Sequence, residues 1–443
     1  MNARFIFLFV SIVLFTCSLS SAADTLSLSQ ALALALENNY GISLAENESR
    51  IAELNNSIGN AGFLPRLDVS ATRSRNVNNT YQKYFDGRER EGDNAVSNAI
   101  NTGIQLNWTI FDGFNMFIQK KRLEELEVMG ITQLRSVIEN TVAQIIITYY
   151  EIGVQSKLAD VYFEAVQLSS ERKRFARAMI DIGSGSELSY LQSAVDLNTD
   201  SAIFMQQLVT LENSKTELNR LLCRDLHSTF EVSSEIPLND NLLYEQLWNL
   251  IQEQNPDLMR ARSNKLLTSL DTRSYKSIMY PRINFNAGYS FNRSESEVGF
   301  MLLNRNLGLS MGVSLTYNIF NGFNTRNDIR IAKIREESAV AELNQAELDI
   351  RSELLRVYND YLTNLQLVKF ESENRSLAFR NLEVAMEKYR IGAINDIELR
   401  ETQQKLMDAE TRYLLSQYRS KIAETELLRL SGQLSVETSS ISG

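Results

Sequence analysis

The chain is poor in the residues that interrupt helices and in those that carry most metal and redox chemistry. Its 443 residues include four prolines, two cysteines and one histidine. No proline lies in residues 66–236 or 282–443, so nothing there breaks a helical hydrogen-bond ladder and long helices are permitted. The lone His227 and the two isolated cysteines form no metal-ligand pattern. We therefore expect no metal and no cofactor.

The chain also lacks a basic excess and any recognisable catalytic motif. Its 45 Lys and Arg residues are outnumbered by 55 Asp and Glu residues, giving a formal charge of -10. This balance argues against nucleic acid as a partner, because no excess of positive charge is available to neutralise phosphates. No phosphate-binding glycine loop and no Ser/His/Asp arrangement is visible. We expect a protein that is not an enzyme.

The first 23 residues have the pattern of an export signal. Arg4 precedes an almost wholly apolar run, Phe5–Phe15, and small residues precede a cleavage site after Ala23. The run is too short to cross a bilayer as a helix, which favours removal over anchoring. Cys17 leaves open an alternative, lipidation, since the residues before it loosely resemble a lipoprotein processing site. Cleavage after Ala23 leaves only Cys223, which can form no intrachain disulfide.

The rest of the chain is an internal duplication. The sequence at 110–115 returns at 319–324, an offset of 209 residues, and the same offset carries Ile182-Gly183 onto Ile391-Gly392. An offset of 216 carries the segment 64–67 onto 280–283. This periodicity predicts two structural repeats, 24–222 and 246–432, with a connecting segment at 223–245 and a tail at 433–443.

Each repeat contains two segments that alternate between apolar and small polar residues. The period of two predicts strands at about 66–80, 98–111, 282–293 and 306–320, with a polar loop around Tyr81–Ser97. A soluble sheet with one wet face is one interpretation. The strand lengths and the uncharged polar face favour a membrane barrel with a watery interior. Four strands cannot close a barrel, and lipid does not tolerate an open edge, so several copies would have to complete it.

Very long helices follow each strand pair. From Asn321-Gly322 to Gly392 the chain is compatible with helix over roughly 70 residues, on the order of 100 Å. Asp112 and Asn321 are candidate N-caps. Glycine-containing turns at 182–186 and 391–395 each precede a returning helix. An apolar stripe with coiled-coil spacing follows the second long helix: Ile350, Leu354, Val357, Tyr361, Leu365 and Val368.

Taken in order, these features resemble the TolC-type outer-membrane channel family over essentially the whole mature chain. The proline before each first strand, the Phe-Asp/Asn-Gly-Phe junctions at Gly113 and Gly322, and the Ile-Gly turns carry the resemblance. It implies an α+β membrane protein that forms a homotrimer. Four strands per protomer would build a twelve-stranded barrel in outer-membrane lipid, continued by a helical barrel in the periplasm. The implied partners are a periplasmic adaptor protein and an inner-membrane transporter of RND or ABC type.

The resemblance also implies a gate at the periplasmic end. Acidic residues six and nine positions after Gly392 are Glu398 and Glu401, and a latch tyrosine three positions before it is Tyr389. Three copies of each carboxylate near one axis would raise the carboxylate pKa by like-charge crowding. The alternative interpretation is that both glutamates are ordinary solvated residues at a helix start, where the dipole favours them.

Two departures from the family pattern affect this gate. The latch arginine falls on Ile394, and its acidic partner in the first repeat falls on Ser189. The same salt bridge is therefore impossible, and the sequence offers as substitutes Arg390, Arg400 and Glu187. The turns themselves, through Ile182, Gly183, Ile391 and Gly392, are the expected docking tips for the adaptor.

The function that follows is a passive outer-membrane duct of a tripartite export system for small molecules. A dedicated outlet for type I protein secretion is the alternative with the same fold. A periplasmic coiled-coil structural protein is the third alternative, from a different functional class.

Overall fold

The computed structural model describes residues 25–434. The export signal, Cys17 and the last nine residues of the predicted tail lie outside this range. In chain order the elements are β1 (Thr25–Leu26), α1 (Leu28–Asn38), α2 (Tyr40–Asn55), β2 (Arg66–Lys83), β3 (Glu89–Phe111), α3 (Asn115–Asp181), α4 (Glu187–Leu221), β4 (Glu231–Val232), α5 (Tyr244–Gln254), α6 (Pro256–Ser277), β5 (Arg282–Ser296), β6 (Leu303–Thr316), α7 (Asn324–Arg390) and α8 (Asp396–Leu430).

The helical elements repeat with the spacing found in the sequence. Helices α3 and α7 each contain 67 residues, and α4 and α8 each contain 35. The first and last residues of α7 and α8 lie 209 residues after those of α3 and α4. The Asp112 carboxylate accepts a hydrogen bond from the Met116 amide at 3.2 Å, and the Asn321 side chain is placed equivalently before α7, 3.5 Å from the Thr325 amide. Both side chains therefore bond to the first turn of the helix from just outside it.

Four strands form one antiparallel sheet in the order β2-β3-β5-β6. The hairpin between β2 and β3 differs from the prediction. Its ladder continues to the pair Lys83 and Glu89, so the connecting loop spans only residues 84–88. The predicted loop around 81–97 was too long because the charged residues there pair as strands, and a search for apolar alternation does not detect a strand that is polar on both faces.

The end of β6 also corrects the prediction. The strand ends at Thr316 rather than near 320, and Thr316 pairs with Arg282, the first residue of β5. Beyond Thr316, no residue among 25–434 pairs with the backbone of the edge strand. The equivalent strand of the first repeat, β3, continues to Phe111 because it pairs there with Ile283 of β5.

The two faces of the sheet differ in chemistry. One is concave and lined mainly by small polar residues, among them Ser70, Gly103, Asn286, Ser290 and Ser310. The other carries apolar side chains that are largely exposed in the single chain, such as Leu309 at 64% and Val313 at 67%. A contiguous exposed apolar surface of this kind marks a membrane or protein contact.

Residue contacts divide the chain into two compact units. The first contains the chain through Asn38 with Gln144–Leu238 and Asn364–Ile422. Its core includes Val154, Leu158 and Leu414. Strand β1 pairs in parallel with β4. The Tyr149 hydroxyl ties both strands to α3, donating to the Leu26 carbonyl at 2.9 Å and accepting from the Ser233 amide at 3.2 Å.

The second unit contains Asn39–Ala143, Asn239–Thr363 and the chain from Ala423. It holds the four-stranded sheet and the helices that lead into and out of it. Asn255 caps α6 by accepting from the Leu258 amide at 2.9 Å, and it donates to the Leu430 carbonyl at 2.9 Å. Within residues 25–434, no helix combines the length and the apolar character needed to cross a bilayer.

Candidate gate at the helix turns

The turns α3–α4 and α7–α8 have the same hydrogen-bond geometry. Gly183 donates to the Ile180 carbonyl at 2.8 Å and Ser184 to the Met179 carbonyl at 3.0 Å. In the second repeat, Gly392 and Ala393 make the same two bonds, at 3.0 and 2.8 Å. This pair of bonds is the Schellman motif, and it requires a left-handed residue. Gly183 and Gly392 supply it with φ of +73° and +74°.

Space around these turns is open. A β-carbon added to Gly183 or Gly392 would meet no atom within 4 Å. The glycines are therefore required by backbone conformation and not by close packing within the chain. The neighbouring isoleucines project into solvent, with Ile182 exposed by 74% and Ile391 by 80%. Two large apolar side chains are thus held on rigid turns without a partner in the single chain.

A buried ion cluster joins the first-repeat helices to the second-repeat helix α8 just above these turns. Arg172 of α3 is 2% exposed and binds Asp396 of α8 in a bidentate manner, Nε to Oδ1 at 2.9 Å and Nη2 to Oδ2 at 2.7 Å. The same guanidinium lies 3.1 Å from Asp196 of α4. Burial by itself would lower the pKa of Arg172, but the hydrogen bonds and charges of Asp396 and Asp196 raise it above its usual value.

Arg400 of α8 extends the cluster. It bonds both oxygens of the buried Asp200 on α4, at 2.6 and 2.7 Å, and its Nε lies 3.7 Å from Asp196. Ser169 of α3 bonds Asp200 as well. The cluster therefore holds two guanidinium groups against three carboxylates across α3, α4 and α8. Breaking one partner of a buried pair costs about 3–5 kcal/mol, because the other charge stays buried without compensation.

Tyr389 of α7 completes the site. Its hydroxyl lies 3.4 Å from Asp396 Oδ1, and its ring contacts Phe175 with centroids 5.1 Å apart. Burial and the charge of Asp396 raise the pKa of Tyr389 to about 12. Beside it lies a cleft of about 490 Å³, lined by residues that include Phe175, Met386 and Arg390. The tyrosine that the sequence singled out is thus placed against an aspartate of α8.

The two glutamates predicted to face the pore make local contacts in the single chain. Asn395 caps α8 by accepting from the Glu398 amide at 2.9 Å, and its side-chain amide donates to Glu398 Oε1 at 3.2 Å. Glu401 pairs with Lys405 at 2.7 Å. The hydrogen bond from Lys405 lowers the pKa of Glu401, which is opposite in direction to the shift expected from crowding of three copies. The helix-start interpretation therefore accounts for Glu398 within one chain.

Of the three substitutes proposed for the missing latch bridge, one lies in the ion cluster. Arg400 pairs with Asp200, whereas Arg390 lines the cleft and Glu187 is exposed at the start of α4. Four residues of the cluster were not predicted from the sequence: Arg172, Asp196, Asp200 and Asp396. The comparison of the two repeats held a usable signal. At an offset of 209 residues, the counterpart of Arg172 is the uncharged Asn381 and that of Asp200 is Ala409. Arg172 and Asp200 are therefore charges of the first repeat that the second repeat does not share.

The strand–helix junctions differ between the repeats. Gly113 and Gly322 both have positive φ, +72° and +71°. A β-carbon on Gly113 would lie 2.3 Å from the Ser277 carbonyl oxygen at the end of α6, whereas Gly322 has no atom within 4 Å of that position. The first junction therefore requires glycine for both space and conformation. The second is left open within one chain.

Comparison with known proteins agrees with this architecture. The family model described as "Outer membrane efflux protein" matches residues 31–222 and 247–433. The outer membrane efflux protein BepC of Brucella suis is 19% identical over 94% of this chain and 87% of its own length. The alkaline protease secretion protein AprF of Pseudomonas aeruginosa is 22% identical over 78% of this chain and 72% of its own.

Solved structures show the same fold. The outer-membrane channel CmeC of Campylobacter jejuni superposes with a TM-score of 0.76 at 16% identity, covering 94% of this chain and 89% of CmeC. Family and fold are those of channel proteins and not of enzymes. The chain belongs to the outer membrane efflux protein family, and it is a TolC-type channel of the outer membrane that extends into the periplasm.

Proposed function

We propose that this chain is one protomer of a trimeric, passive duct that exports small molecules and is held closed by the ion cluster around Arg172. The observation that carries the proposal is the bidentate pair between Arg172 on α3 and Asp396 on α8. It replaces the latch bridge that Ile394 and Ser189 cannot make. Opening would move α8 away from α3 and α4, and the buried charges oppose that movement.

We assign the work of opening to partner proteins. We assign docking of a periplasmic adaptor to Ile182, Gly183, Ile391 and Gly392. Rigid turns that carry exposed apolar side chains offer a surface that is already ordered before binding, which lowers the cost of association. An inner-membrane transporter, of RND or ABC type, would supply cargo and energy.

Trimer formation is supported by the two unpaired edges of the sheet. Strands β2 and β6 each have one neighbour in the chain. The repeat predicts how copies join, because β6 is the counterpart of β3 and β2 the counterpart of β5. Within the chain, Asn107 of β3 pairs with Asn286 of β5. The counterpart of Asn107, 209 residues later, is Thr316, and the counterpart of Asn286, 216 residues earlier, is Ser70. Thr316 of one copy should therefore pair with Ser70 of the next. The open space at Gly322 would then receive Ala61, the counterpart of Ser277.

The cargo is the finer part of the proposal. Small-molecule export is our first choice, following the family model and BepC. Protein secretion is the second candidate, and the similarity to AprF, a protease secretion protein, favours it. One duct of this fold could serve either transporter.

Complementation tests the choice of cargo. Cells that lack their own channel should regain export of a fluorescent dye when this chain is produced with a matching adaptor and transporter, and the Ile182→Asn/Ile391→Asn variant should not restore it. Recovery of protein secretion without recovery of dye export would replace the first candidate by the second. Recovery of neither, with the protein shown to be assembled in the outer membrane, would reject both.

A further inference from the structure

A cavity of about 670 Å³ lies where the sheet meets the helices in the second unit. Its walls come from the ends of β3, β5 and β6 and from α3, α6 and α7. Three guanidinium groups line it, those of Arg122, Arg282 and Arg335, together with the carboxylates of Asp112 and Asp271. Neutral donors such as Asn115 and Ser274 complete the lining.

The cavity belongs to the polar face of the sheet. Arg282 stands two strand positions before Asn284, and Asn284 two before Asn286, which lines the concave polar face. Side chains two apart on a strand share a face. Thr316 of β6, which also lines the cavity, lies six positions after Ser310 and therefore on the same face of its strand. In the proposed duct this face is the lumen, so the cavity opens onto the path of the cargo.

Within the described part of the chain, two of the three arginines have no carboxylate partner. Arg122 is neutralised by Asp271, with Nε and Oδ1 at 3.1 Å. Arg282 donates to the Thr109 hydroxyl at 3.3 Å. Arg335 forms no ion pair among residues 25–434, and Asp112 is engaged by the Met116 amide. In a chain of net charge -10, two free guanidinium groups therefore face one cavity.

The first repeat shows how the same position looks when its charge is neutralised. The counterpart of Arg282 is Arg66, which binds Asp68 at 2.8 Å. The counterpart of Asp68 in the second repeat is Asn284, which accepts a hydrogen bond from Thr109 and carries no charge. A single Asp-to-Asn difference between the repeats therefore leaves Arg282 free.

From this arrangement we infer that the cavity is a binding site for small carboxylate- or phosphate-bearing molecules, held by Arg282 and Arg335. Guanidinium groups bind such anions in a bidentate manner. Arg282 and Arg335 are exposed to solvent, so the attraction is screened and binding is weak. Weak binding suits a transit site, because cargo must leave as readily as it enters. The identity of the cargo rests on the proposed duct, whereas binding itself needs only the cavity of one chain.

Calorimetric titration of the detergent-extracted, assembled protein with citrate tests the inference. We expect Arg282→Gln/Arg335→Gln to weaken citrate binding about tenfold, the loss expected for two exposed charge contacts. Asn284→Asp should weaken it as well, since it restores the carboxylate that neutralises Arg66 in the first repeat. Arg66→Gln removes an arginine that is already paired, and it should leave citrate binding unchanged.

Conductance of the same preparations separates this inference from the proposed duct. Protein that conducts but binds citrate equally well with and without Arg282 and Arg335 overturns the inference and leaves the duct intact. Wild-type protein that conducts and does not bind citrate overturns it too. Arginine-dependent citrate binding by assembled protein that never conducts would support the site and reject the duct.

Discussion

Arg172 of α3 and Asp396 of α8 form a buried bidentate ion pair in which Nη2 and Oδ2 lie 2.7 Å apart. The pair links the first repeat to the second beside the turns at which an adaptor is expected to dock. Because Asp396 is the first residue of α8, the pair holds the start of the returning helix against α3.

Loss of the Asp396 charge should loosen the turn end of α8. Asp396→Asn leaves Asp196 as the one carboxylate bound to Arg172 among the described residues, and we expect the local opening free energy of α8 to fall by about 3 kcal/mol. Hydrogen exchange at the amides of residues 397–403 reports this change as faster exchange. Glu187→Gln is the matched control, since Glu187 is the counterpart of Asp396 in the first repeat and is exposed. Equal exchange in both variants would remove Asp396 from the latch.

Tyr389 should make the same region sensitive to alkali. Its pKa is raised from 10.0 to about 12 by burial and by Asp396, so the fold favours the neutral phenol. That stabilisation is complete below pH 10 and is lost as the pH rises towards 12. The loss amounts to about 1 kcal/mol once solvent screening of a half-buried group is allowed for.

The Tyr389→Phe variant has no phenol to ionise and should not show this loss. Denaturant unfolding of the two proteins just below pH 10 and near pH 12 measures the difference. Parallel decreases in stability for wild type and variant would show that Tyr389 does not couple to the fold in this way.

The acidic ring is tested by removing charge while keeping the side-chain shape. Glu398→Gln/Glu401→Gln retains an acceptor for Asn395 but removes both carboxylates. If three copies face a common axis, the reversal potential in a salt gradient should shift towards lower cation selectivity. The control is Glu371→Gln. Glu371 lies on α7, away from the turn, and its carboxylate pairs with Arg412 of α8. Unchanged selectivity would leave Glu398 as a helix-capping residue only.

The repeat predicts the register of the seam between copies. In a Cys223→Ser background, Ser70→Cys/Thr316→Cys should form intermolecular disulfides on oxidation and give a covalent trimer in denaturing electrophoresis. Ser70→Cys/Leu315→Cys is the control, because a shift of one residue places the second thiol on the opposite face of the strand. Cross-linking of the control at the same yield would contradict the register.

Adaptor docking at the turns has its own signature. Ile182→Asn/Ile391→Asn should abolish adaptor-dependent export while leaving single-channel conductance unchanged, since both side chains are exposed and neither lies in the ion cluster. Leu377→Asn, at an exposed leucine in the middle of α7, should retain export. Full export by the double variant would move the docking site away from the tips.

The fold was largely predictable because its signals are local or periodic. The alternation from Leu307 onward and the two Ile-Gly turns are patterns that can be read from a few residues. The long helices are indicated by the absence of proline from their sequence. The errors fell where pairing partners decide the structure. Residues 317–320 have the pattern of a strand but pair with none of the described residues. Most of residues 89–97 pair with β2 despite their charge.

The ion cluster was less accessible to sequence reasoning. Its charges lie on three helices, and Arg172 and Asp396 are separated by more than half the chain. The family bridge falls on Ile394 and Ser189, which cannot form an ion pair, and of the three substitutes that the sequence offers, Arg400 alone belongs to the cluster. Spacing within one helix could not show that Arg172 and Asp396 meet, since their contact depends on how the two hairpins pack.

Planar-bilayer conductance of the detergent-extracted protein, compared with Arg172→Gln/Arg400→Gln, tests the central claim most directly. The control is Arg177→Gln, an exposed arginine near the same end of α3. We predict small discrete steps for wild type and control, and larger steps for the double variant, whose latch is broken. Steps of equal size in all three would show that the cluster does not close the duct. An absence of steps from folded, assembled protein would contradict the duct itself.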